Sequence, residues 1–377
     1  MRITGITVHG VAMPLVGDFK TSYHSNSLQR SVVVQVHTAD GMCGVGNVDP
    51  IAGYSEETPE QTLMALAQRF GPALVGADAG NLHQVWRRLE SVGPAYLDAK
   101  AALEMACTDA LARSLGLPVH RLLGGRVTDE VRFNAWIGIL PPDQAAAEAA
   151  GWQRQGFRSA KVKVGGNIEA DRDRVRAIRE AVGDDFEIRA DANTGYDVDT
   201  SIRLLRLLEP YRLQLLEQPV AADDIVGLAR VRAASPGIPI MADEAILDHR
   251  SLIAVIRAGA ADIVKLKVMK QGGLINTRRM IETAAAAGLR CVIGHGFGLG
   301  VNTMAEIMLA ATSDNVLEGL ECVGPLKTVD DIVTVKPDLR AGRMTVPDAP
   351  GLGVEIDDHR LMRYSFEQHT IGAVDHR

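Results

Sequence analysis

Short apolar runs that each end in an acidic residue recur through the middle of the chain. Three of them lie between residues 187 and 243 and close on Asp191, Glu217 and Asp243, which are spaced 26 residues apart. That spacing accommodates one strand, one helix and two loops, which is the repeat of a (β/α)8 barrel. Because the carboxyl ends of barrel strands converge on one face, we expect the three carboxylates to lie close together.

Lysines continue the pattern on either side of the acids. Lys161 and Lys163 alternate along a strand before the first acid, and Lys265 and Lys267 alternate along a strand after the last one. Alternation places the two members of each pair on one face of the strand. Three carboxylates between two lysine pairs indicate a hard-cation site flanked by two candidate bases. Each acid could instead cap the next helix or pair with a lysine, but repetition at one register favours the shared site.

The patterns outside this repeat predict a second domain. Strand-like alternation fills residues 1–50, and apolar residues at helical spacing fill residues 59–123. The pair Gly124-Gly125 follows a helix and precedes a new strand, so it marks a domain boundary. We therefore predict an α+β N-terminal domain over residues 1–125.

Residues 126–327 are predicted to form the barrel. The strand-like segments in this range number eight, as a closed barrel requires, and are centred near residues 131, 161, 188, 215, 240, 264, 292 and 318. Residues 328–377 are rich in turns, and we expect them to return to the N-terminal domain and to end in a loose tail from about Ser365. The predicted fold class is α/β, a modified (β/α)8 TIM barrel with an α+β N-terminal domain that the C-terminal segment completes.

Composition and charge exclude several classes of protein. The 377 residues are 46% hydrophobic and 23% charged, as in ordinary globular proteins. A net charge of −7 without a basic run argues against nucleic-acid or anionic-membrane partners. The four cysteines lack C-x-x-C spacing, and no apolar run could span a bilayer. The chain opens on an alternating strand rather than a leader, so we predict a cytoplasmic protein.

Five short motifs follow one another along the predicted barrel, namely Lys161-Val162-Lys163, Asp191-Ala192-Asn193, Glu217-Gln218-Pro219, Ala242-Asp243-Glu244 and Lys267 followed by Gly272-Gly273. Taken together, these motifs resemble the enolase superfamily. In this order they are similar to the muconate-lactonizing, two-lysine branch of the mandelate racemase/muconate lactonizing enzyme family, and the likeness covers nearly the whole chain. The resemblance implies that the N-terminal domain caps the barrel.

The resemblance also implies a role for each site residue. Asp191, Glu217 and Asp243 match ligands of Mg²⁺, for which Mn²⁺ is a possible substitute. Lys163 and Lys267 match acid/base groups on opposite faces of a small-molecule carboxylate substrate. Three further residues are expected to orient these ligands and lysines, namely Asn193, Glu244 and Lys265. Lys161 is counted with the catalytic groups, because its charge beside Lys163 lowers the pKa of that amine.

Substrate specificity is expected to reside in the loops of the capping domain and in the eighth strand. Val323 stands where the dipeptide epimerases of this branch carry the second acid of an Asp-x-Asp pair, which counts against an ordinary dipeptide substrate. His295 is expected to make a substrate or structural hydrogen bond rather than to transfer protons, since Lys267 already supplies that base. Plain packing is the alternative for the aromatic candidates. The remaining candidate pocket residues are Phe19, Tyr23, His24, Tyr54, Phe297 and Glu321.

The implied function is a Mg²⁺-dependent isomerase, a racemase, epimerase or cycloisomerase, that removes the proton α to a carboxylate through a metal-stabilised enediolate. A dehydratase of a β-hydroxy carboxylate and a catalytically inactive carboxylate-binding homologue remain open on the same scaffold. A Schiff-base aldolase using one of the lysines is a further barrel chemistry, which would be indifferent to chelators. A homo-oligomer is expected, because oligomers are common in the resembling family.

Overall fold

A computed structural model describes residues 1–20, 25–51, 55–295 and 297–374, and for residues 18–20 and 25–26 it describes the backbone alone. In these ranges no helix has both the length and the apolar character that crossing a membrane requires. The strands are β1 (Ile3–Lys20), β2 (Ser25–Thr38), β3 (Cys43–Val48), β4 (Glu130–Arg132), β5 (Ala135–Ile137), β6 (Ser159–Lys163), β7 (Glu187–Asp191), β8 (Leu215–Glu217), β9 (Ile240–Ala242), β10 (Ile263–Leu266), β11 (Arg290–Ile293), β12 (Arg343–Thr345) and β13 (Ser365–Gly372).

The helices alternate with the barrel strands and form most of the N-terminal domain after its sheet. They are α1 (Pro59–Ala65), α2 (Gly71–Leu74), α3 (Leu82–Val92), α4 (Leu97–Ser114), α5 (Val119–Leu122), α6 (Pro142–Arg154), α7 (Ile168–Val182), α8 (Val198–Leu208), α9 (Ile225–Ala233), α10 (His249–Ala258), α11 (Leu274–Ala286), α12 (Gly300–Ala310), α13 (Gly324–Lys327) and α14 (Asp358–Tyr364). A π-helical turn follows α1 and a 3-10 turn follows α8.

The N-terminal domain is an antiparallel sheet packed on helix α4. Its strand order is β13-β1-β2-β3. Helix α4 lies so close to β3 that a Cβ at Gly44 or Gly46 would collide with the backbone carbonyls of Ala106 and Ala102. Only glycine permits this approach, because any side chain would push the helix from the sheet.

The loose tail expected from about Ser365 is wrong, since these residues form β13 at the edge of that sheet. The strand pairs antiparallel with β1, in a register that sets Thr7 opposite Thr370. Most of its side chains are exposed, so it lacks the buried apolar alternation that marks a strand in a sequence. Backbone pairing with β1 orders it instead.

The second domain is a parallel sheet of seven strands in the order β11-β10-β9-β8-β7-β6-β5. The expected eighth strand near residue 318 is instead an irregular segment, residues 315–321, hydrogen-bonded on both sides. Leu317 N donates to Cys291 O (2.8 Å) in β11, and Asn134 N, directly before β5, donates to Leu320 O (2.8 Å). The segment therefore closes the ring without regular pairing.

The first predicted barrel strand also needs a correction. The segment near residue 131 is β4, which pairs with β12 outside the barrel, and the barrel strand is β5 a few residues later. The predicted fold class, a barrel of (β/α) type with an α+β capping domain, is confirmed.

Candidate active site

The acids and lysines singled out in the sequence meet at the carboxyl ends of neighbouring strands. Asp191 ends β7 and lies opposite Glu217, which ends β8. Lys163 ends β6 and lies opposite Asp191 on its other side. Asp243 directly follows β9, and Lys267 directly follows β10. The order around the barrel mouth is therefore lysine, three carboxylates and lysine, because the strands are adjacent in the order β6 to β10.

Lysine ammonium groups bond each acid of this set. Lys163 Nζ lies 2.6 Å from Asp191 Oδ2. Lys161 Nζ lies 3.1 Å from the same oxygen and 3.0 Å from Glu217 Oε2. Lys267 Nζ lies 2.6 Å from both oxygens of Asp243. The buried carboxylates are thus compensated by charge-assisted hydrogen bonds, which burial of a charge requires.

Helix capping, the alternative role for the strand-end acids, is performed by other residues. Asp197 Oδ1 accepts from Thr200 N (2.7 Å) at the start of α8. Asp224 caps α9 and Asp248 caps α10 in the same way. The acids at the strand ends are left to face one another and the lysines.

Burial and neighbouring charges shift the pKa values of these groups in different directions. Burial, and then the charge of Asp191, raises the pKa of Glu217 to about 8. Burial also acts to raise the pKa of Asp243, but Lys267 and Lys270 outweigh it and hold that pKa well below the ordinary value. Burial lowers the pKa of Lys267 from 10.5, although Asp243 opposes the change. Its amine is therefore easier to deprotonate than a lysine in water.

The donor set suits a hard divalent cation. Three carboxylates supply the oxygen ligands that Mg²⁺ prefers. One oxygen of this set, Glu217 Oε1, is buried and has no hydrogen-bond partner. Glu244 Oε2, in the residue after the third acid, is likewise buried and without a hydrogen-bond partner. In the described ranges no three His, Cys, Asp or Glu side chains are already arranged to hold a metal ion together. The three acids are bonded to lysines instead. They suit a divalent cation because all three supply carboxylate oxygens, and because Glu217 Oε1 is a buried acceptor that a metal ion could satisfy.

Asn193 connects the first lysine to the acids. Its Oδ1 accepts from Lys163 Nζ (2.5 Å), and its Nδ2 donates to Glu244 Oε1 (3.1 Å). The residue has a left-handed backbone with φ of 41°, and Gln218 at the end of the next strand has φ of 33°. Such conformations cost energy in residues other than glycine, and they aim the side chain across the mouth of the barrel.

Glu321 lies in the irregular segment and joins three cationic groups. Lys161 Nζ lies 2.5 Å from its Oε2, Lys265 contacts the same oxygen, and Arg189 Nη1 lies 3.1 Å from its Oε1. Burial acts to raise the pKa of Glu321, but Lys161, Lys265 and Arg189 outweigh it and hold that pKa well below its usual range. The structure therefore places Glu321 among barrel lysines rather than on an open pocket wall.

His295 contacts two buried acids that are not part of the strand-end set. Its Nδ1 is 3.4 Å from Glu306 Oε1 on α12, and its Nε2 is 3.7 Å from Asp49 Oδ2 at the end of β3. Val323 and Phe297 are both buried. Four other pocket candidates lie outside the described residues or side chains, namely Phe19, Tyr23, His24 and Tyr54.

Several cations of the site were not predicted from the sequence. Arg189 is fully buried inside the barrel, and Lys270 Nζ lies 3.1 Å from Asp243 Oδ1. Lys327 Nζ lies 4.6 Å from the ring centroid of Trp136 and 4.4 Å from that of Phe297. Burial, and then the charges of neighbouring lysines, hold the pKa of Lys327 well below its ordinary value. The available signal was its position directly after the Gly-Pro-Leu that follows the eighth barrel segment.

A parallel barrel under an antiparallel cap, with acids between lysines at the strand ends, defines an enzyme of the enolase type. Comparison with family models gives the same answer. Residues 3–124 match the model of the mandelate racemase/muconate lactonizing enzyme N-terminal domain, and residues 144–360 match that of the enolase C-terminal domain-like family. The chain belongs to the mandelate racemase/muconate lactonizing enzyme family.

Characterised relatives within the family differ in their reactions. The chain is 32% identical to the N-succinyl-L-Arg/Lys racemase of Bacillus cereus, over 98% of this chain and 100% of that protein. The crystal structure of the racemase superposes with a TM-score of 0.94. Muconate cycloisomerase 1 of Pseudomonas putida is 33% identical, over 97% of this chain and 98% of the relative.

A third relative carries a metal. A dipeptide epimerase from Enterococcus faecalis, complexed with Mg and L-Leu-L-Tyr, is 30% identical over 94% of this chain and 99% of that one, with a TM-score of 0.90. These relatives are racemases, epimerases and cycloisomerases, so the prediction of an isomerase-type enzyme is confirmed at the level of the family. They do not single out the muconate-lactonizing branch.

Proposed function

We propose that the protein is a Mg²⁺-dependent isomerase that removes the proton α to the carboxylate of a small molecule and then returns a proton, with Lys163 and Lys267 as the acid/base pair. One observation carries the proposal: Lys163 ends β6 and Lys267 directly follows β10, and these two strands flank the three acid-bearing strands on opposite sides. A planar substrate lying over the acids would meet one amine on each face. This is the geometry of the two-lysine branch, to which we assign the chain.

Asp191, Glu217 and Asp243 would hold the cation. Bound there, Mg²⁺ would supply positive charge close to the substrate carboxylate, where negative charge develops as the α-proton leaves. Lys161 is bonded to the first two of these acids, so its contacts would be the ones exchanged for metal contacts. Glu321 would keep Lys161 within the site, since it holds the same amine from the other side.

The two lysines are positioned as bases by their hydrogen-bond partners. Asp243 holds Lys267 Nζ through both carboxylate oxygens, while burial lowers the pKa of that amine. Asp191 and Asn193 hold Lys163 Nζ. Each amine can accept a proton once its partner is engaged elsewhere, and the protonated form can return one to the opposite face.

A dipeptide is the least favoured substrate class. Binding the ammonium group of a dipeptide would require acids in the eighth segment, but Glu321 is already bonded to three cations and Val323 is buried and apolar. We therefore propose an N-acylated amino acid, whose α-proton is removed and replaced, or a muconate-like dicarboxylate, in which one carboxylate adds to the double bond and the α-carbon then takes a proton from a lysine; the names of the racemase and cycloisomerase relatives point to these two classes. A cytoplasmic location and a homo-oligomeric state stay predictions.

Proton NMR in D2O with Mg²⁺ tests the proposal directly. The compounds are both enantiomers of N-succinyl amino acids, N-acetyl amino acids and proline derivatives, together with muconate, which is achiral and would take up deuterium at its α-carbon on closing to a lactone. Lys163→Ala and Lys267→Ala should each slow α-proton exchange of one enantiomer by about 10²- to 10⁴-fold and leave the other exchanging. Lys336→Ala, in the C-terminal segment, is the control lysine.

Exchange of both enantiomers at the wild-type rate in Lys163→Ala would refute this assignment. Loss of water from a β-hydroxy acid would instead identify the dehydratase that shares this scaffold. Circular dichroism checks the fold of each variant, which we expect to be kept because Lys161 still bonds Asp191 and Lys270 still bonds Asp243.

A further inference from the structure

The sheet of the capping domain has two edge strands with different surroundings. At one edge, β3 is largely buried, and Val45 N donates to Asp109 Oδ2 (3.0 Å) on α4. At the other edge, β13 pairs with β1, and within the described residues no further strand pairs with it. Most of the β13 side chains are exposed. The outward N–H and C=O groups of such an edge are a ready template for another strand.

The register of β13 fixes which of its backbone groups face outward. Ala373 N donates to Thr4 O (2.9 Å), and successive residues of an antiparallel strand alternate between bonding the neighbour and facing away from it. The odd-numbered residues of β13 therefore bond β1. The N–H and C=O groups of Gln368 and Thr370 point away from the sheet, and both residues are exposed.

The composition of β13 favours a contact with an identical strand. Proline and lysine, which commonly protect an edge, do not occur in residues 365–372. Glu367 and His369 lie on one face of the strand, with Oε1 2.8 Å from Nε2. A carboxylate beside an imidazole complements an identical edge, whereas two like charges would repel it. Phe366, of which 45% is exposed, adds apolar surface beside this pair.

We propose that β13 pairs antiparallel with β13 of a second copy of the chain, with a two-fold axis through Gln368. The axis must pass through a residue whose backbone groups face outward, which near the middle of the strand leaves Gln368 or Thr370. An axis through Gln368 sets Glu367 opposite the partner's His369. An axis through Thr370 sets His369 opposite the partner's Ile371, so charge complementarity selects Gln368. The sheets of two caps then form one continuous sheet.

Sedimentation equilibrium of the full chain near neutral pH, at about 1–100 µM, tests the pairing. Gln368→Pro removes the outward N–H at the axis, while an edge strand tolerates proline where the N–H faces solvent. Its constant for dissociation into single copies should rise about tenfold or more, because both copies lose a hydrogen bond at the axis. Gln368→Ala keeps the N–H group and should stay within about threefold of the wild type.

Exchange of the charged groups gives a second test that does not depend on proline. Glu367→Lys sets a lysine opposite the partner's His369, and His369→Glu sets two carboxylates opposite each other. Each single variant should weaken association by about threefold or more. The double variant Glu367→Lys/His369→Glu should restore it, because opposite charges face each other again. Circular dichroism and Tm check that every variant is folded.

Each outcome supports or overturns the proposal. A wild type that stays monomeric over this range overturns it, and leaves the edge of β13 to a strand of another protein. Association that Gln368→Pro leaves unchanged also overturns it, because the contact then lies elsewhere on the chain. If the single charge variants weaken association and the double variant does not restore it, the axis through Gln368 is wrong.

Discussion

Glu104 links the two domains, and its replacement measures how much that link contributes. From α4 its carboxylate accepts hydrogen bonds from Leu274 N (2.7 Å) and Ile275 N (3.2 Å), the first residues of barrel helix α11. Thr108 Oγ1 donates a third bond at 3.3 Å. Helix α11 begins after Gly273 and has no side-chain cap of its own. Glu104 therefore performs this capping from the other domain.

The expected effect follows from the pKa of Glu104, which burial raises from 4.5 to about 7 against the opposing hydrogen bonds. A carboxyl group with a raised folded-state pKa contributes its full stability below pH 4.5, and this contribution is lost as the pH rises through 7. The difference between a pKa of 4.5 in the unfolded chain and about 7 in the folded protein corresponds to ~3 kcal/mol in the free energy of unfolding. Glu104→Gln does not titrate, so its free energy of unfolding, relative to the wild type, should rise by ~3 kcal/mol from pH 4 to pH 8.

Urea unfolding of the wild type, Glu104→Gln and Glu104→Ala at pH 4, 5, 6, 7 and 8 checks this. Other titrations in the protein cancel in the difference between variant and wild type. Glu104→Ala leaves two buried N–H groups without an acceptor, which costs roughly 1–3 kcal/mol each at every pH. If the difference in free energy of unfolding between Glu104→Gln and the wild type does not vary with pH, the raised pKa of Glu104 is refuted. Equal stability of the two variants would refute the capping role.

Three further results are expected. Gly46→Ala should lower the free energy of unfolding by roughly 1–3 kcal/mol or more, because the added Cβ would strike the backbone of α4. The control Gly138→Ala adds a Cβ in open space and should change that free energy by no more than about 0.5 kcal/mol. Equal effects of the two substitutions would contradict the packing of α4 on β3. Glu321→Ala should lower the free energy of unfolding in urea by roughly 3–5 kcal/mol, because the buried cations that Glu321 bonds lose their carboxylate partner. The control Asp338→Ala removes an exposed ion pair and should have no measurable effect. Glu217→Gln should reduce the rise in Tm that Mg²⁺ produces, and an undiminished rise would argue against metal binding there.

The part of the site that recurs with the barrel repeat could be predicted from the sequence. Asp191, Glu217 and Asp243 occupy equivalent strand ends, so their spacing alone placed them together. The contacts among side chains could not be predicted, because they depend on how far a lysine reaches across strands. Arg189 meets Glu321, and Lys327 meets Trp136, although more than a hundred residues separate the two members of each pair.

The fold shows the same division between repeated and unique features. Strands with buried apolar residues were found within a few residues, apart from the first and the eighth barrel positions. The segment at residues 315–321 lacks regular pairing because Arg189 occupies the carbonyl oxygens of Glu318 and Gly319. Strand β13 has mostly exposed side chains, and the backbone of β1 orders it. Neither cause is visible in the apolar pattern of the segment itself.

The irregular closure of the barrel has a consequence for how such an enzyme can change its preferences. Residues 315–321 are anchored by backbone bonds to both neighbours, and α13 with Lys327 follows three residues later. Glu321 lies in this segment and bonds both Lys161 and Arg189, so a mutation there reaches the strands that bear the acids and bases. Recognition and proton transfer are therefore coupled through the closing segment, and a change of substrate preference there also affects the lysines beside the acids.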